Sequence, residues 1–303
     1  MRLTDDARHW IEKATGSRVI AVSVMAGATS SRLDDVELED GSARRHLVLR
    51  RFTDAAWAKR EPDLAVREGV SLQHAARAGL PVPGLIAVDA RGEHCGVPAT
   101  LVEKVEGAAI LEPTNQREWL LGLAESAARI HRVEASGFKW KYRRYNESVR
   151  LTVPAWSKEQ SAWMRAIEVV QGPIPSYREC FIHRDFHPSN VLWQNGQVSG
   201  VVDWVNGCRG PAGIDVAWCR HNLANLHGVA VADDFLGAYI EAAGSEFDYD
   251  PHWDLMTVVE LLPGPPAMYD GWRASGIAPI SSAVMRQRVD AYVASVVARL
   301  DGR

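Results

Sequence analysis

The hydrophobic pattern of this chain changes character after about one third of its length. Short alternating or apolar segments, typical of β-strands, dominate the first third, whereas apolar residues recur at helical spacing over long segments from about residue 114. No internal repeat or low-complexity linker interrupts this order. We therefore expect an α+β fold with two lobes: a small antiparallel-sheet lobe, residues 1–104, and a larger helical lobe, residues 105–303, joined near residues 103 to 107.

The segments of the first lobe follow a definite order. Thr4 and the two aspartates after it predict the start of a short helix that closes at Gly16. A strand is predicted over residues 18–25, and two more flank the Asp40-Gly41 turn within residues 31–52. A helix over residues 63–80 ends before Pro81. Two further strands end at Gly107, so the predicted order is helix, three strands, helix, two strands.

The second lobe is mainly helical. Helices are predicted at the following ranges: 115–134, 157–170, 213–226, 231–243 and 281–300. Two short β-like pieces interrupt them, one around residue 182 and one at residues 198–204.

Composition excludes several classes of function. The formal net charge of −4 favours neither nucleic acid nor an anionic membrane surface. No apolar run is long enough for a membrane span, and the N-terminus lacks the apolar centre of a signal peptide. The four cysteines are too sparse for a disulfide framework, so we interpret them as packing residues. We expect a cytoplasmic monomer or homodimer that binds neither nucleic acid nor membrane.

The strongest motif is "FIHRDFHPSNVLW", residues 181–193. His183, Arg184, Asp185 and Asn190 fill the positions of the protein-kinase catalytic loop, and Asp203 follows Asn190 by thirteen residues. Phosphoryl transfer needs a carboxylate near the acceptor hydroxyl and oxygen ligands for Mg²⁺. The three residues Asp185, Asn190 and Asp203 supply these groups.

The wording of three motifs resembles one branch of the kinase-like enzymes. "HRDFHPSNVLW", "GVVDW" and "GPAGIDVAW" closely resemble the aminoglycoside phosphotransferase and choline kinase superfamily, which implies a two-lobed protein-kinase-like fold. The resemblance implies that Asp185 and Asn190 are catalytic and that Asn190 and Asp203 hold Mg²⁺. Asp215 would brace the catalytic loop from behind, and His187 would lie within that loop.

The resemblance also implies that the first lobe binds the nucleotide, either ATP or GTP. Arg50 in "HLVLRRF" matches the family's Val-Leu-Arg wording and would contact the phosphates, with Glu68 as its partner. Arg51 is the adjacent alternative, because strand alternation sends these two side chains to opposite faces.

Two further segments complete the expected nucleotide site. Thr29, Ser30 and Ser31, in the loop "AGATSSRL", could offer hydroxyl and backbone N–H groups to the phosphates, although an ordinary hairpin loop is an equally good interpretation of that segment alone. By resemblance, the backbone of Glu103 and Val105 would contact the purine.

Three other interpretations fit the sequence less well. His183, Asp185 and His187 could ligate zinc, but the extended residues before them and Pro188 after them argue against the helix that such a motif needs. A nucleophilic cysteine or serine enzyme lacks a Gly-x-Ser-x-Gly elbow. A catalytically inactive kinase-fold binding protein need not retain every side chain that is predicted to contact phosphate or metal.

Among the other conspicuous residues, Trp119, Trp204 and Trp218 are predicted to be core, and the basic-aromatic run at 139–145 is predicted to be a solvated connector.

The acceptor is expected to be a small molecule with a hydroxyl group. Residues 221–272 contain no lysine or arginine, and nine acidic residues lie in that segment: Asp233, Asp234, Glu241, Glu246, Asp248, Asp250, Asp254, Glu260 and Asp270. Such a segment suits a cationic acceptor and favours an aminoglycoside-like antibiotic, phosphorylated for resistance or self-protection, although a solvated acidic face explains it equally well. A macrolide bound by the apolar residues 255–269, or a choline-like metabolic alcohol, is the alternative.

Overall fold

The first third of the chain forms a five-stranded antiparallel sheet with helices packed on it. This computed structural model describes residues 3–25, 30–41, 43–144 and 150–301. The elements of this part are α1 Asp5–Thr15, β1 Arg18–Val24, β2 Arg32–Asp40, β3 Ala43–Arg51, α2 Ala55–Arg60, α3 Leu64–Arg77, β4 Leu85–Asp89 and β5 Ala99–Glu103. The strand order is β1-β2-β3-β5-β4. The predicted order of elements is confirmed, except that the short helix α2 was not predicted.

Local sequence signals explain these boundaries. The hydroxyl of Thr4 accepts a hydrogen bond from the backbone N–H of Ala7 at 3.2 Å, as an N-cap does. Gly16 ends α1 in the left-handed conformation, with φ of 69°. Alternate residues of β2 and β3, among them Leu38 and Leu49, are buried against Ile11 of α1. These contacts form the core under the sheet.

The remaining two thirds of the chain are mainly helical. The elements are β6 Ala108–Ala109, α4 Gln116–His131, α5 Gln160–Gln171, β7 Glu179–Ile182, β8 Val191–Gln194, β9 Gln197–Val201, β10 Cys208–Pro211, α6 Ala212–His227, α7 Val229–Ala243, α8 Pro251–Val259, α9 Asp270–Ala274 and α10 Ser282–Asp301. Strands β6, β8 and β9 form one small sheet, and β7 pairs with β10. The five predicted helices and both β pieces are present, whereas α8 and α9 were not predicted.

The chain divides into two compact units. The first comprises Met1–Ala108 together with Leu192–Gly207, and the second comprises Ala109–Val191 together with Cys208–Arg303. Most of the β8–β9 hairpin and the Asp203 segment after it therefore belong to the first unit. Within that unit the backbone N–H of Val201 donates to the carbonyl of Pro81 at 2.8 Å, and Arg67 Nε donates to the carbonyl of Val205 at 2.5 Å.

Two predictions about other residue classes can be checked directly. All four cysteines are free and buried, which confirms that they are packing residues. Trp119 and Trp204 are core, whereas Trp218 is only partly buried. Across the described ranges, none of the helices is both long and apolar enough to pass through a membrane.

Candidate active site

A buried arginine in the first unit bridges two carboxylates. Arg50, near the end of β3, places Nη1 2.6 Å from Glu68 Oε1 of α3 and 2.6 Å from Asp203 Oδ1. The second carboxylate oxygen of Glu68 accepts from the hydroxyl of Thr100 at 2.6 Å. Glu68 therefore has both oxygens bound inside the unit, and Arg50 joins three separate segments of the chain.

Arg51 points to the other face of β3, as strand alternation requires. Its Nε and Nη2 donate to Asp34 Oδ2 at 3.1 and 2.5 Å, and Arg32 donates to the other oxygen of Asp34 at 2.9 Å. Both Arg51 and Asp34 are buried. Arg51 thus belongs to a structural ion pair, while Arg50 shares a cluster with Glu68 and Asp203.

The electrostatics of the Arg50 cluster hold the arginine charged. Burial opposes its charge, but Asp203 and Glu68 outweigh burial and raise the pKa of Arg50 above its ordinary value. Asp203 has a left-handed backbone, with φ of 67° and ψ of 57°, and its side chain is 34% exposed. One oxygen of the Asp203 carboxylate is paired with Arg50, and the side chain is partly open to solvent, so the carboxylate can also bind a cation.

The other predicted nucleotide residues have varied surroundings. Ser31 Oγ accepts from Arg50 Nε at 3.1 Å, and Ser30 lies beside it in the described chain. Thr29 lies outside the described residues. Glu103 is the last residue of β5 and donates its backbone N–H to the carbonyl of Gly84 at 2.8 Å, and Val105 packs near Gly200. Their contacts with a nucleotide remain predictions.

The catalytic-loop motif, residues 183–190, lies in the second unit directly after β7. Asp215 of α6 is fully buried, and its two oxygens accept the backbone N–H groups of His183 at 2.7 Å and Arg184 at 2.6 Å. Arg184 has φ of 65°, a left-handed conformation that is costly for a residue with a Cβ. Asp215 therefore fixes the loop backbone at its strained residue, which is the bracing role that the resemblance implied.

A histidine and a tyrosine extend this support, and sequence reasoning missed both. His131 Nε2 lies 3.1 Å from Asp215 Oδ2, and its Nδ1 lies 2.6 Å from the hydroxyl of Tyr239. Because a carboxylate only accepts, Nε2–H donates to Asp215 and Nδ1 accepts from the tyrosine. Burial raises the pKa of Tyr239 above its ordinary value, which keeps that donor protonated. No local pattern marks His131, since its partners lie 84 and 108 residues away.

The loop side chains surround Asp185. Asn190 Nδ2 donates to the carbonyl of Asp185 at 2.9 Å, and His187 Nε2 lies 3.5 Å from Asp185 Oδ1. The Asp185 side chain is 33% exposed. Since the amide nitrogen of Asn190 is bound to the loop, its oxygen is left to act as a ligand for a hard cation. His187 Nδ1 in turn accepts from the backbone N–H of Ser189 at 3.3 Å.

The zinc interpretation of this loop is not supported by the geometry. Among the residues that the structure describes, no three histidine, cysteine, aspartate or glutamate side chains gather as a metal-binding group. His183 instead accepts the backbone N–H of Asp185 on Nδ1 at 3.3 Å and packs edge-on against Phe186.

Part of the basic-aromatic run at 139–145 is structural. The guanidinium of Arg184 lies 4.9 Å from the ring centre of Tyr142, and it also donates to the carbonyl of Arg143. The hydroxyl of Tyr142 donates to Glu260 at 2.9 Å. The expectation of a purely solvated connector was therefore wrong for Tyr142, which supports the arginine of the catalytic loop.

Some carboxylates of the acidic segment 221–272 are already paired with other side chains of the protein. Asp254 is buried and accepts from the hydroxyls of Tyr292 at 2.5 Å and Tyr249 at 2.6 Å, and it is also paired with Arg220. Asp233 pairs with Arg220 at 2.7 Å. Asp254 cannot hold an acceptor in this arrangement, which corrects the expectation that it would. The exposed carboxylates of the segment include Asp234, Glu241, Asp248 and Asp270.

The family is decided by a match over most of the chain. The model of the family described as "Phosphotransferase enzyme family" matches residues 29–256, a span that contains Arg50, Asp185 and Asp203. The chain belongs to this family. The superfamily suggested by the motifs is thereby confirmed.

Curated relatives of this phosphotransferase-family chain include homoserine kinases. The homoserine kinase of Polaromonas naphthalenivorans (strain CJ2) is 30% identical over 192 residues, which cover 55% of this chain and 58% of that protein. The homoserine kinase of Methylobacterium nodulans (strain LMG 21967 / CNCM I-2342 / ORS 2060) is 29% identical over 175 residues, 52% of this chain and 53% of that protein. The chain thus matches somewhat over half the length of these relatives.

Solved structures of kinases share the fold. Amicoumacin kinase hAmiN, in complex with AMP-PNP, Ca²⁺ and Ami, superposes with a TM-score of 0.61 at 14% identity. The superposition covers 97% of this chain and 94% of the kinase chain. A thermostable mutant of aminoglycoside phosphotransferase APH(4)-Ia, in ternary complex with ADP and hygromycin B, superposes with a TM-score of 0.61 at 17% identity. That superposition covers 96% of this chain and 98% of the mutant chain. At these identities the likeness shows the fold alone, and it confirms the predicted α+β kinase-like class.

Proposed function

We propose that this protein transfers the γ-phosphoryl group of ATP or GTP to a hydroxyl group of a small molecule, with Mg²⁺. The observation that carries the proposal is the Arg50 cluster: one buried arginine lies 2.6 Å from both the helix glutamate Glu68 and the predicted metal ligand Asp203. A kinase needs such a fixed cation beside the phosphates. An inactive binding protein would have no comparable reason to keep it.

In this proposal Asp185 accepts a hydrogen bond from the acceptor hydroxyl and takes its proton as the oxygen attacks phosphorus. The carboxylate is partly exposed, and the loop backbone that carries it is fixed by Asp215. His187, 3.5 Å from the same carboxylate, helps to orient it. Positioning and electrostatic stabilisation, rather than covalent chemistry, account for most of the catalysis.

The residues proposed as metal ligands fit a hard divalent cation. Asn190 contributes its amide oxygen and Asp203 a carboxylate, which are the ligand types that Mg²⁺ prefers. When bound, Mg²⁺ supplies positive charge to the β and γ phosphates. Arg50 supplies a fixed positive charge for the same phosphates, and Glu68 keeps it in place.

The remaining nucleotide contacts are proposed by resemblance to the family. Thr29, Ser30 and Ser31 cover the phosphates, and the backbone of Glu103 and Val105 contacts the purine. The structural neighbours with AMP-PNP or ADP support nucleotide binding in general. A direct comparison of turnover with ATP and with GTP tests which nucleotide the protein prefers.

Two acceptor classes have support. The curated relatives named homoserine kinase favour a small metabolic amino alcohol. The exposed carboxylates Asp234, Asp248 and Asp270, in a segment without lysine or arginine, favour an aminoglycoside-like cation. Antibiotic resistance is part of the second proposal only, whereas a cytoplasmic location is proposed with either acceptor.

The test is an acceptor panel in a coupled assay of ADP release. The panel contains homoserine, choline, hygromycin B and streptomycin, each with ATP and with GTP, and products are checked by mass spectrometry for one added phosphoryl group. Turnover that depends on both Mg²⁺ and one acceptor is the expected result. Thermal stabilisation by ATP and Mg²⁺ without turnover of any acceptor would favour an inactive binding protein instead.

A further inference from the structure

The second unit contains a cavity that the proposed reaction does not use. It has a volume of about 310 Å³ and is lined by residues from the end of α4, the start of α6, the end of α7 and α8. None of the described catalytic-loop residues, 183–190, lines it. Ligand pockets span about 300–1,000 Å³, so this cavity suits a ligand at the small end of that range.

The floor of the cavity is connected to the backbone of the catalytic loop. This floor consists of His131 and Tyr239, which line the cavity, are both buried and lie 2.6 Å apart between Nδ1 and the hydroxyl oxygen. His131 also donates to Asp215, whose carboxylate holds the loop backbone. A ligand on this floor would therefore contact the side chains that support the loop, although Asp185 itself does not line the cavity.

Aromatic rings form two walls of the cavity. The rings of Tyr177 and Trp253 meet edge to face with centres 5.4 Å apart, and those of Tyr239 and Phe247 do so at 4.8 Å. Trp253 packs against the start of α6, where a Cβ on Gly213 would lie only 2.3 Å from the indole. The missing side chain of Gly213 thus makes room for this wall. Such walls favour a ligand with a planar apolar group.

Charged side chains of both signs surround the cavity. Arg132, Arg178 and Asp248 line it and are exposed. Burial raises the pKa of Tyr239, and the positive charges of Arg178 and Arg132 oppose this rise, so both guanidinium groups lie near the floor. Arg178 also interacts with the charge of Glu134. These positive and negative charges cancel, so the cavity favours neither a simple anion nor a simple cation.

The charged groups of the lining suit the two ends of a zwitterion. Arg132 Nη2 donates to the carbonyl of Ala242, which fixes the guanidinium at the cavity. A guanidinium has five N–H donors, so Arg132 can also bind a carboxylate while it keeps this anchor. The carboxylate of Asp248 can accept hydrogen bonds from an ammonium group.

We propose that this cavity binds a small aromatic amino acid as its zwitterion. The ring lies between the aromatic walls, the carboxylate binds Arg132 and the ammonium binds Asp248. This class of ligand uses the aromatic, the positive and the negative parts of the lining together. It gives Asp248 a contact other than the phosphorylated acceptor. The proposal is independent of the kinase activity, because its test needs neither nucleotide nor turnover.

Binding of L-phenylalanine to the protein is measured by ligand-observed NMR titration. The expected Kd is about 1 mM or tighter. Three comparators each lack one group: 3-phenylpropanoate lacks the ammonium, phenethylamine lacks the carboxylate, and L-alanine lacks the ring. Each should bind at least about tenfold more weakly than phenylalanine, because one part of the lining is then left without its partner.

Ala243→Phe tests where the ligand binds. Ala243 lines the cavity at the end of α7, so a phenyl ring there would take the space of the ligand's ring. The matched control is Ala242→Phe, the same change at the neighbouring residue, which does not line the cavity. Ala243→Phe should lower the affinity for phenylalanine at least about tenfold, whereas Ala242→Phe should keep it.

Arg132→Gln and Asp248→Asn test the two charged contacts. Both residues are exposed, so the variants should fold, and urea unfolding checks this. Each variant should bind phenylalanine at least about fivefold more weakly. Arg129→Gln in α4 and Asp234→Asn in α7 change exposed residues that do not line the cavity, and these controls should bind as the wild type does.

Four results would each overturn the proposal. They are the absence of saturable phenylalanine binding up to about 10 mM, unchanged affinity in a folded Ala243→Phe protein, unchanged affinity in both charge variants, and comparators that bind as tightly as phenylalanine. If Ala243→Phe does not fold, the charge variants decide. An acceptor panel without any turnover would refute the proposed function and leave this binding site standing.

Discussion

Asp215→Asn tests how the catalytic loop is held. The two carboxylate oxygens of Asp215 accept the backbone N–H groups of His183 and Arg184 at 2.7 and 2.6 Å, and the residue has no solvent exposure. Asparagine has the same shape but must place an NH₂ group against one of these N–H donors. That change removes a hydrogen bond to a charged acceptor, about 1.5–3 kcal/mol, and leaves a buried donor unsatisfied, about 1–3 kcal/mol.

We therefore expect Asp215→Asn to lower the free energy of unfolding by about 3–5 kcal/mol, a large part of the usual 5–15 kcal/mol. Without the anchor, Arg184 should leave its left-handed conformation and displace Asp185. Turnover should fall on the order of 10²-fold because the carboxylate no longer faces the acceptor. The KM for the nucleotide should change little, since Arg50, Glu68 and Asp203 belong to the other unit.

Urea denaturation and steady-state kinetics measure the two effects on the same samples. Asp290→Asn is the matched control, because Asp290 is also buried and accepts from the backbone N–H of Lys158 at 2.8 Å and from the hydroxyl of Ser157 at 2.6 Å. It should lose comparable stability and keep a normal kcat per folded molecule. A loss below about 1 kcal/mol for Asp215→Asn, or a kcat within a few-fold of wild type, would refute the bracing role.

Three other predictions concern buried polar and charged residues. Arg50→Gln should weaken nucleotide binding at least about tenfold by titration calorimetry. Arg51→Gln should mainly lower stability in urea, by about 1.5–3 kcal/mol, because the buried carboxylate of Asp34 loses one of its two arginine partners and keeps only Arg32; equal nucleotide affinities of the two variants would contradict this division. The pKa of His221 is about 4 in the folded protein and near its ordinary 6.5 when unfolded, so the unfolded state takes up a proton first as pH falls. Stability attributable to this residue should be complete above pH 6.5 and fall by about 3 kcal/mol toward pH 4 in pH-dependent urea titrations, and a His221→Phe protein with the same pH profile would speak against it. Asp254→Asn should cost about 3 kcal/mol or more in thermal or urea unfolding, while exposed Asp248→Asn should be nearly neutral, and similar losses for both would show that the buried network is unimportant.

Sequence periodicity predicted the long helices and the sheet because their residues divide into a buried and an exposed side. Helix α8 was not predicted because all nine of its residues, Pro251–Val259, are buried. Its sequence therefore shows no alternation of apolar and polar residues with a period of 3.6. α2 and α9 are only 6 and 5 residues long, too short for a pattern to repeat.

Those parts of the candidate site that lie in a sequence motif could be predicted, whereas contacts between residues far apart in the sequence could not. The wording around Asp185 and Asp203 carries a family signature, so roles for these positions could be proposed from the sequence. The contact between Arg50 and Asp203 spans 153 residues, and only the fold places them together. Charge counting likewise cannot tell that a tyrosine pair and Arg220 would enclose Asp254.

The most direct test of the kinase assignment is acceptor-dependent ADP release by the wild type and by Asp185→Asn, with whichever acceptor the panel identifies. Asparagine keeps the size of the side chain but cannot take the proton of the acceptor hydroxyl, so kcat should fall on the order of 10²-fold or more, with ATP and Mg²⁺ binding largely retained. His74→Gln, a change in α3 of the other unit, serves as the purification control. Undiminished phosphoryl transfer by Asp185→Asn would contradict the assignment of Asp185 as the catalytic carboxylate.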